Sequence, residues 1–211
     1  WWKICKDPLM WRTIHINDIN LNDMRFSFRC LEKICRCAID LSCGHVEDIA
    51  IEFFGTDDLL KYMAHRARCL KRLQISKCSD ISNKGLSECV KKFSLLEELD
   101  ISFDKKISKK SLEDIGRCCP LLKSLNLANK FILEVNFADQ LLAILNGCPL
   151  LDSLDLQKSI CRHQLSPSLV KRCHEQIKDL QLRAFSPDDS DDGLAYVDTF
   201  EDTYANEYWE Y

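Results

Sequence analysis

The stretch Leu70-Lys71-Arg72-Leu73-Gln74-Ile75-Ser76-Lys77-Cys78-Ser79-Asp80-Ile81-Ser82-Asn83-Lys84-Gly85-Leu86 decides the fold. Leu70, Leu73 and Ile75 form a Leu-x-x-Leu-x-Leu pattern, in which Leu73 and Ile75 alternate with polar residues as on one face of a strand. The pattern returns at Leu96, Leu99, Ile101, at Leu122, Leu125, Leu127 and at Leu151, Leu154, Leu156. Weaker copies stand at Val46, Ile49, Ile51 and at Ile177, Leu180, Leu182, so the starts step by 24, 26, 26, 29 and 26 residues.

Those steps fall within the period of about 20 to 29 residues of leucine-rich repeats. A second register supports the first. Apolar residues at i, i+3, i+4 and i+7 recur between the strand patterns: Leu60, Met63, Ala64, Ala67; Leu86, Cys89, Val90, Phe93; Leu112, Ile115, Gly116, Cys119; and Leu141, Ile144, Leu145, Cys148. Period 2 followed by period 3.6 predicts one strand and one helix per unit. Ser82 reads as a helix start, as does Ser111 three residues before Asp114 in a capping-box arrangement. Each unit alone leaves an apolar edge uncovered, so stacking must bury it. The expected fold is an α/β solenoid of about six strand-helix units over 21–185, a short horseshoe arc with a concave parallel sheet roughly 24 Å across. The 29-residue step predicts a longer loop at 130–136.

Charge divides the chain. The total is 29 Lys plus Arg against 33 Asp plus Glu. From Ser186 onward there are nine acidic residues and no basic one, leaving 29 basic against 24 acidic residues before it. The segment 186–211 therefore reads as an acidic tail that does not pack as a globule. At 46% hydrophobic, the body has material for a substantial core. Its apolar runs are far shorter than the roughly 18 to 20 residues that span a bilayer, and no signal sequence opens it, so a soluble intracellular protein is expected. The 13 cysteines form an odd set in a chain of that kind and argue for free thiols over disulfides. The cluster Cys30, Cys35, Cys37, Cys43 and His45 lacks paired zinc-ligand spacing and reads as buried core thiols, as do Cys118 and Cys119.

The strand-and-turn run from Leu70 to Leu86 looks like the cysteine-containing leucine-rich repeat of F-box proteins, and Cys119-Pro120-x-Leu122 and Cys148-Pro149-x-Leu151 resemble the family's helix-to-strand junction. Trp2-Lys3-Ile4-Cys5-Lys6-Asp7-Pro8-Leu9-Met10-Trp11-Arg12 resembles the closing helix of an F-box. With Val46-Glu47-Asp48-Ile49-Ala50-Ile51-Glu52 and Gly55-Thr56-Asp57-Asp58-Leu59-Leu60, the chain is similar to plant F-box/leucine-rich-repeat proteins of the Skp-interacting partner type. The resemblance implies an F-box remnant at 1–20 whose N-terminal part is missing, with Trp2, Ile4, Pro8, Leu9 and Trp11 on the Skp-adaptor side. It also implies a non-catalytic substrate receptor of an SCF (Skp, cullin, F-box) ubiquitin ligase, docked on a Skp-type adaptor and cullin scaffold. Such a receptor would act in the nucleus or cytoplasm. The alternative is a repeat module that binds protein without ubiquitin transfer.

A protein target would meet the concave strand face, where the positions between the core leucines point. These include Glu52, Phe53, Lys71, Arg72, Gln74, Lys77, Glu97, Glu98, Asp100, Phe103, Lys123, Asn126, Asp152 and Asp155, with Phe53 and Phe103 the aromatic anchor candidates. Their charges come in bands, acidic, basic, then acidic from Glu47 onward, a pattern suited to selecting a partner of complementary charge. No phosphate loop, dinucleotide fingerprint, nucleophile elbow or zinc-protease motif occurs, so no cofactor or catalytic site is expected. Basic residues alternate with acidic ones, which disfavours a nucleic-acid partner.

Overall fold

A computed structural model of the chain describes residues 7–17, 27–102, 107–127, 137–156 and 165–182. Among the described residues, seven strands form one parallel sheet in strict chain order: β1 Thr13–Ile16, β2 Asp48–Glu52, β3 Arg72–Ser76, β4 Glu98–Ser102, β5 Ser124–Leu127, β6 Ser153–Asp155 and β7 Asp179–Gln181. Six α-helices among the same residues cover the outer face: α1 Phe28–Leu41, α2 Asp57–Arg66, α3 Asn83–Val90, α4 Lys109–Cys118, α5 Phe137–Gly147 and α6 Pro167–Gln176. The sheet therefore carries one strand more than the repeat pattern predicts, and it begins at Thr13, inside the segment 1–20. The signal was present but short: Ile14 and Ile16 flank His15 with strand alternation, and only Ile14 is fully buried.

The core lies between sheet and helices. Leu73, Leu99, Leu125 and Leu154 stand in one register row, Ile75, Ile101 and Leu127 in the next, and all are at most 1% exposed. Parallel strands need a crossover, and each helix supplies one while burying its apolar stripe against the strand interior. Between α4 and α5 the helices approach to backbone contact. A Cβ on Gly116 would stand 2.6 Å from the Ala143 carbonyl oxygen, and one on Gly147 would overlap the Gly116 carbonyl oxygen. Gly116, the weakest apolar position of its helix by sequence, permits this contact together with Gly147.

Helix starts are linked from one unit to the next. Thr56, Ser82, Ser108 and Ser166 each accept a first-turn N–H as N-caps. Asp57, beside the first of these caps, also receives the Ser82 N–H at 2.7 Å and the Ser82 hydroxyl at 2.6 Å. Asn83 repeats the device one unit on, accepting the Ser108 N–H at 2.8 Å. The expected capping box at Ser111 and Asp114 is not formed. Ser108 is the cap, Ser111 is buried inside α4, and Asp114 is a buried carboxylate held by Arg117 and by Lys91 at 3.1 Å.

The thiols divide by helix face. Cys35 is buried, but Cys30, Cys37 and Cys43 are exposed, so the expectation of a buried cluster holds for one member of four. Residues 30 and 37 lie about 100° or more around the α1 axis from the face that buries Cys35, Ala38 and Ile39. Cys119 is buried and Cys118 partly exposed. Burial pushes the thiols of Cys35 and Cys119 up to about 12 and those of Cys78 and Cys148 up to about 11. Among the described residues, no group of three or more His, Cys, Asp or Glu is arranged to hold a metal ion, and no helix is long and apolar enough to cross a membrane. The expected loop at 130–136 and the acidic segment 186–211 lie outside the described residues.

Candidate protein-binding surface

The concave face is built row by row from the strand register. At the N-terminal edge of the sheet, Arg12, Glu47, Lys71, Glu97, Lys123, Asp152 and Lys178 occupy equivalent positions. Each backbone carbonyl from Arg12 to Asp152 accepts two N–H groups from the following unit, at 2.7 to 3.1 Å. Their side chains alternate in sign and pair across the units: Arg12 with Glu47 at 2.6 Å, Lys71 with Glu47 at 3.2 Å, Lys123 with Glu97 at 2.6 Å and Lys178 with Asp152 at 2.9 Å. Hydrogen bonds from Arg12 and then Lys71 hold Glu47 below the usual carboxylate range, and Lys123 does the same for Glu97. The charge bands along the strands are thus spent in large part within the chain. Such solvent-screened pairs add little net stability, so their value is in fixing register.

The next row adds a further pairing. Asp48 accepts Arg72 Nε at 2.9 Å and lies 3.0 Å from His15 Nε2. The hydrogen bond to Asp48 raises the Arg72 pKa above its ordinary value. At the opposite end of the strands Glu52 is buried, with Lys77 Nζ at 2.9 Å. Phe53 and Lys77 occupy equivalent positions just beyond β2 and β3, and both have left-handed backbone, with φ of 71° and 51°. This turn carries the Phe53 ring off the concave face and onto Phe28, at a ring separation of 6.4 Å, with Lys77 Nζ 4.9 Å from the ring centroid. Phe53 is therefore half-buried at the sheet edge and is not an open anchor. Phe103 lies outside the described residues.

What remains on the face is a groove of about 390 Å³, whose walls include Gln74, Glu98, Asp100, Asn126, Asp155 and Gln181. Asn126 Nδ2 donates to Asp100 Oδ2 at 3.2 Å. The chain's sequence points to most of these residues, but misses His15 and the small walls Ser124 and Ser153. His15 was hidden because its strand has only two apolar residues, and serines carry no pattern of their own.

At the N-terminal end of the arc, Asp7 accepts the Leu9 N–H at 3.0 Å and starts a single 3-10 turn, Pro8–Trp11. Trp11 packs against the core, Pro8 is half-buried, and Leu9 and Met10 are 57% and 60% exposed. Trp2 and Ile4 lie outside the described residues. Cys173 is buried in α6, where burial pushes its thiol up, while the neighbouring His174 faces outward.

No family model matches the chain. Several curated proteins of Arabidopsis thaliana do. F-box/LRR-repeat protein 23 is 40% identical over 91% of this chain and 47% of its own length. F-box protein SKIP19 is 37% identical over 84% of this chain and 65% of its own length. F-box/LRR-repeat protein 22 is 32% identical over 93% of this chain and 70% of its own length. The chain thus spans between about half and two thirds of the length of the first two of these relatives.

Proposed function

Because the chain belongs to the F-box/leucine-rich-repeat family, we propose that it is the substrate-receptor part of an SCF ubiquitin ligase, holding a target protein on its concave sheet. The observation that carries the proposal is the division of the described surface into two ends of different chemistry. The Pro8–Trp11 turn presents Leu9 and Met10 to solvent on a base anchored by Trp11, while the sheet presents a polar groove. Exposed apolar side chains on a rigid turn suit docking on a Skp-type adaptor, and a polar concave face suits selection of a target. One relative carries the name F-box protein SKIP19, which accords with an adaptor of that kind.

In this role the chain performs no bond chemistry. It raises the local concentration of the target beside a ubiquitin-conjugating enzyme on the cullin scaffold, and proximity of that kind is worth several kcal/mol, up to about 7 to 11 in well-oriented cases. The target would then be marked for proteasomal degradation, in the nucleus or the cytoplasm. Neither a nucleic acid nor a membrane enters the scheme. Co-purification with a Skp-type adaptor tests it. The adaptor should be retained by the unaltered protein and lost with Leu9→Asp/Met10→Asp, whose exposed positions leave the core untouched. Absence of adaptor binding by the unaltered protein would remove the ligase role.

A further inference from the structure

Helix α1 has three faces. Its core face carries Cys35, Ala38 and Ile39. A second face meets α2: Glu32 accepts the Thr56 hydroxyl at 3.3 Å, Asp40 accepts the Tyr62 hydroxyl at 2.6 Å, and the Arg36 guanidinium lies 4.7 Å from the Tyr62 ring centroid. Cys30, Ile34, Cys37 and Leu41 form the third. At about 100° per residue the three faces stand about 120° apart. All four residues of the third face are exposed, Ile34 at 49% and Leu41 at 40%. α1 is the first α-helix among the described residues, so this face lies on the side away from α2, where a further helix of the stack would pack. Single apolar residues on a surface are ordinary. Four in one helical stripe, at spacings of 4, 3 and 4 residues, make the seam that two helices share in a coiled coil.

The seam is complementary to itself under a two-fold axis. With antiparallel helices centred between Cys35 and Arg36, Cys30 meets Leu41 of the second copy and Ile34 meets its Cys37. Every layer then sets one thiol against one branched aliphatic side chain. Parallel helices would stack Ile34 on Ile34 and Cys37 on Cys37, leaving layers of unequal volume that pack less well.

Charge selects the same arrangement. Lys33 and Asp40 are both exposed, share one flank of the stripe, and each immediately precedes a seam residue. In an antiparallel pair, Lys33 of each copy stands level with Asp40 of the other to within about 3 Å along the axis, at a rise of about 1.5 Å per residue. Two equivalent ion pairs result. In a parallel pair the position facing Lys33 is Ala38, which is buried and carries no charge.

From the spacing, the layer volumes and the charges, we infer that α1 is a docking face for a second copy of this chain. The two helices pack antiparallel along Cys30, Ile34, Cys37 and Leu41, with reciprocal Lys33–Asp40 pairs on the flank. The arcs meet end to end at their first units, and the concave grooves take no part. About three helical turns per copy bury less than the roughly 1,200 Å² of a standard interface, so the association is weak and reversible, with a Kd on the order of 100 µM. The inference does not depend on the ligase role.

The test follows the unaltered protein in reducing buffer by sedimentation velocity from about 5 to about 500 µM, a range that brackets the expected mass action. The mass should rise from one chain toward two. A monomer throughout overturns the inference and leaves the face to another occupant. Ile34→Asp, at a half-exposed position outside the core, should remain monomeric, and an unchanged Kd in that variant overturns the inference as well. Lys33→Glu sets a second carboxylate beside Asp40 and should raise the Kd about fivefold or more, since each exposed pair is worth up to about fivefold. Lys33→Glu/Asp40→Lys should return it to within about threefold of the unaltered value. A charge exchange that restores nothing overturns the antiparallel register. Alkylation needs no variant: over the same concentration range, modification of Cys30 and Cys37 should slow about threefold, while Cys43, exposed but outside the stripe, keeps its rate. Equal rates at both concentrations overturn the inference. A dimer without adaptor binding would remove the ligase role alone, and adaptor binding by a chain that stays monomeric would remove this inference alone.

Discussion

Replacing Gly116 by alanine pits two effects of opposite sign against each other. In an isolated helix the change stabilises, by about 1 kcal/mol, because alanine loses less backbone entropy than glycine. In α4 the new methyl group would stand 2.6 Å from the Ala143 carbonyl oxygen, 2.8 Å from its carbonyl carbon and 2.9 Å from the Ile144 nitrogen. All three are backbone atoms of α5, so no side chain can swing aside. Relief requires the helices to separate by most of an ångström, toward the about 3.5 to 4.0 Å of an ordinary carbon contact. Overpacking of this kind costs about 1 to 3 kcal/mol, and a clash with backbone belongs at the upper end. The net expectation is a loss of about 2 kcal/mol, or a fall in Tm of about 4 to 8 °C for a chain of this size. Thermal unfolding followed by circular dichroism, with urea unfolding alongside, reads the change. Gly147→Ala should act in the same direction, and the double variant should lose less than the two single losses combined, because the first substitution already parts the helices. A Gly116→Ala protein as stable as the original would refute the close packing of α4 on α5.

Three further outcomes follow from the helix-start link and the thiols. Asp57→Ala removes the acceptor of both the N–H and the hydroxyl of Ser82, and should lower stability by about 1 to 2 kcal/mol in urea unfolding, with Asp57→Asn retaining part of the loss. Alkylation at about pH 8, the region where free thiols begin to ionise, followed by peptide mapping, should modify Cys30, Cys37 and Cys43 well before Cys35, Cys119 and Cys148. The same buried thiols set an alkaline limit. Their folded pKa values lie above the unfolded value near 9, so their contribution is complete below that pH and is lost as pH rises toward about 11 or 12. Each thiol should steepen the fall in stability by about 1.4 kcal/mol per pH unit in that window.

The stacking of strand and helix could be read from residue order because it rests on period. Leu73, Leu99, Leu125 and Leu154 fall in one register row, as their spacing requires. The first strand escaped because Thr13–Ile16 carries only two apolar residues, and its place in the sheet depends on pairing with β2. For the binding face, alternation identifies which side chains point outward, but not which of them meet. Lys71, Glu97, Lys123 and Asp152 all project from the expected side, yet cross-unit pairing draws Lys71 to Glu47, Lys123 to Glu97 and Asp152 to Lys178. Phe53 illustrates a second limit. Its left-handed φ of 71° is a property of the turn between β2 and α2, and no period in the sequence announces it. Ser111 and Ser108 show a third: both satisfy the composition of a cap and both reach Asn83, and the extended backbone of Ser108, whose hydroxyl accepts the Ser111 N–H, makes it the cap.

The alternating edge from Arg12 to Lys178 has a consequence for how such an array can change in length. Sign repeats every two units, so removing the unit that carries Lys123 would set Glu97 directly beside Asp152, carboxylate against carboxylate. Removing two neighbouring units would leave every remaining contact between opposite charges. Growth or shortening of this arc is therefore easiest in pairs, and the edge acts as a parity check on the copying of its own repeats.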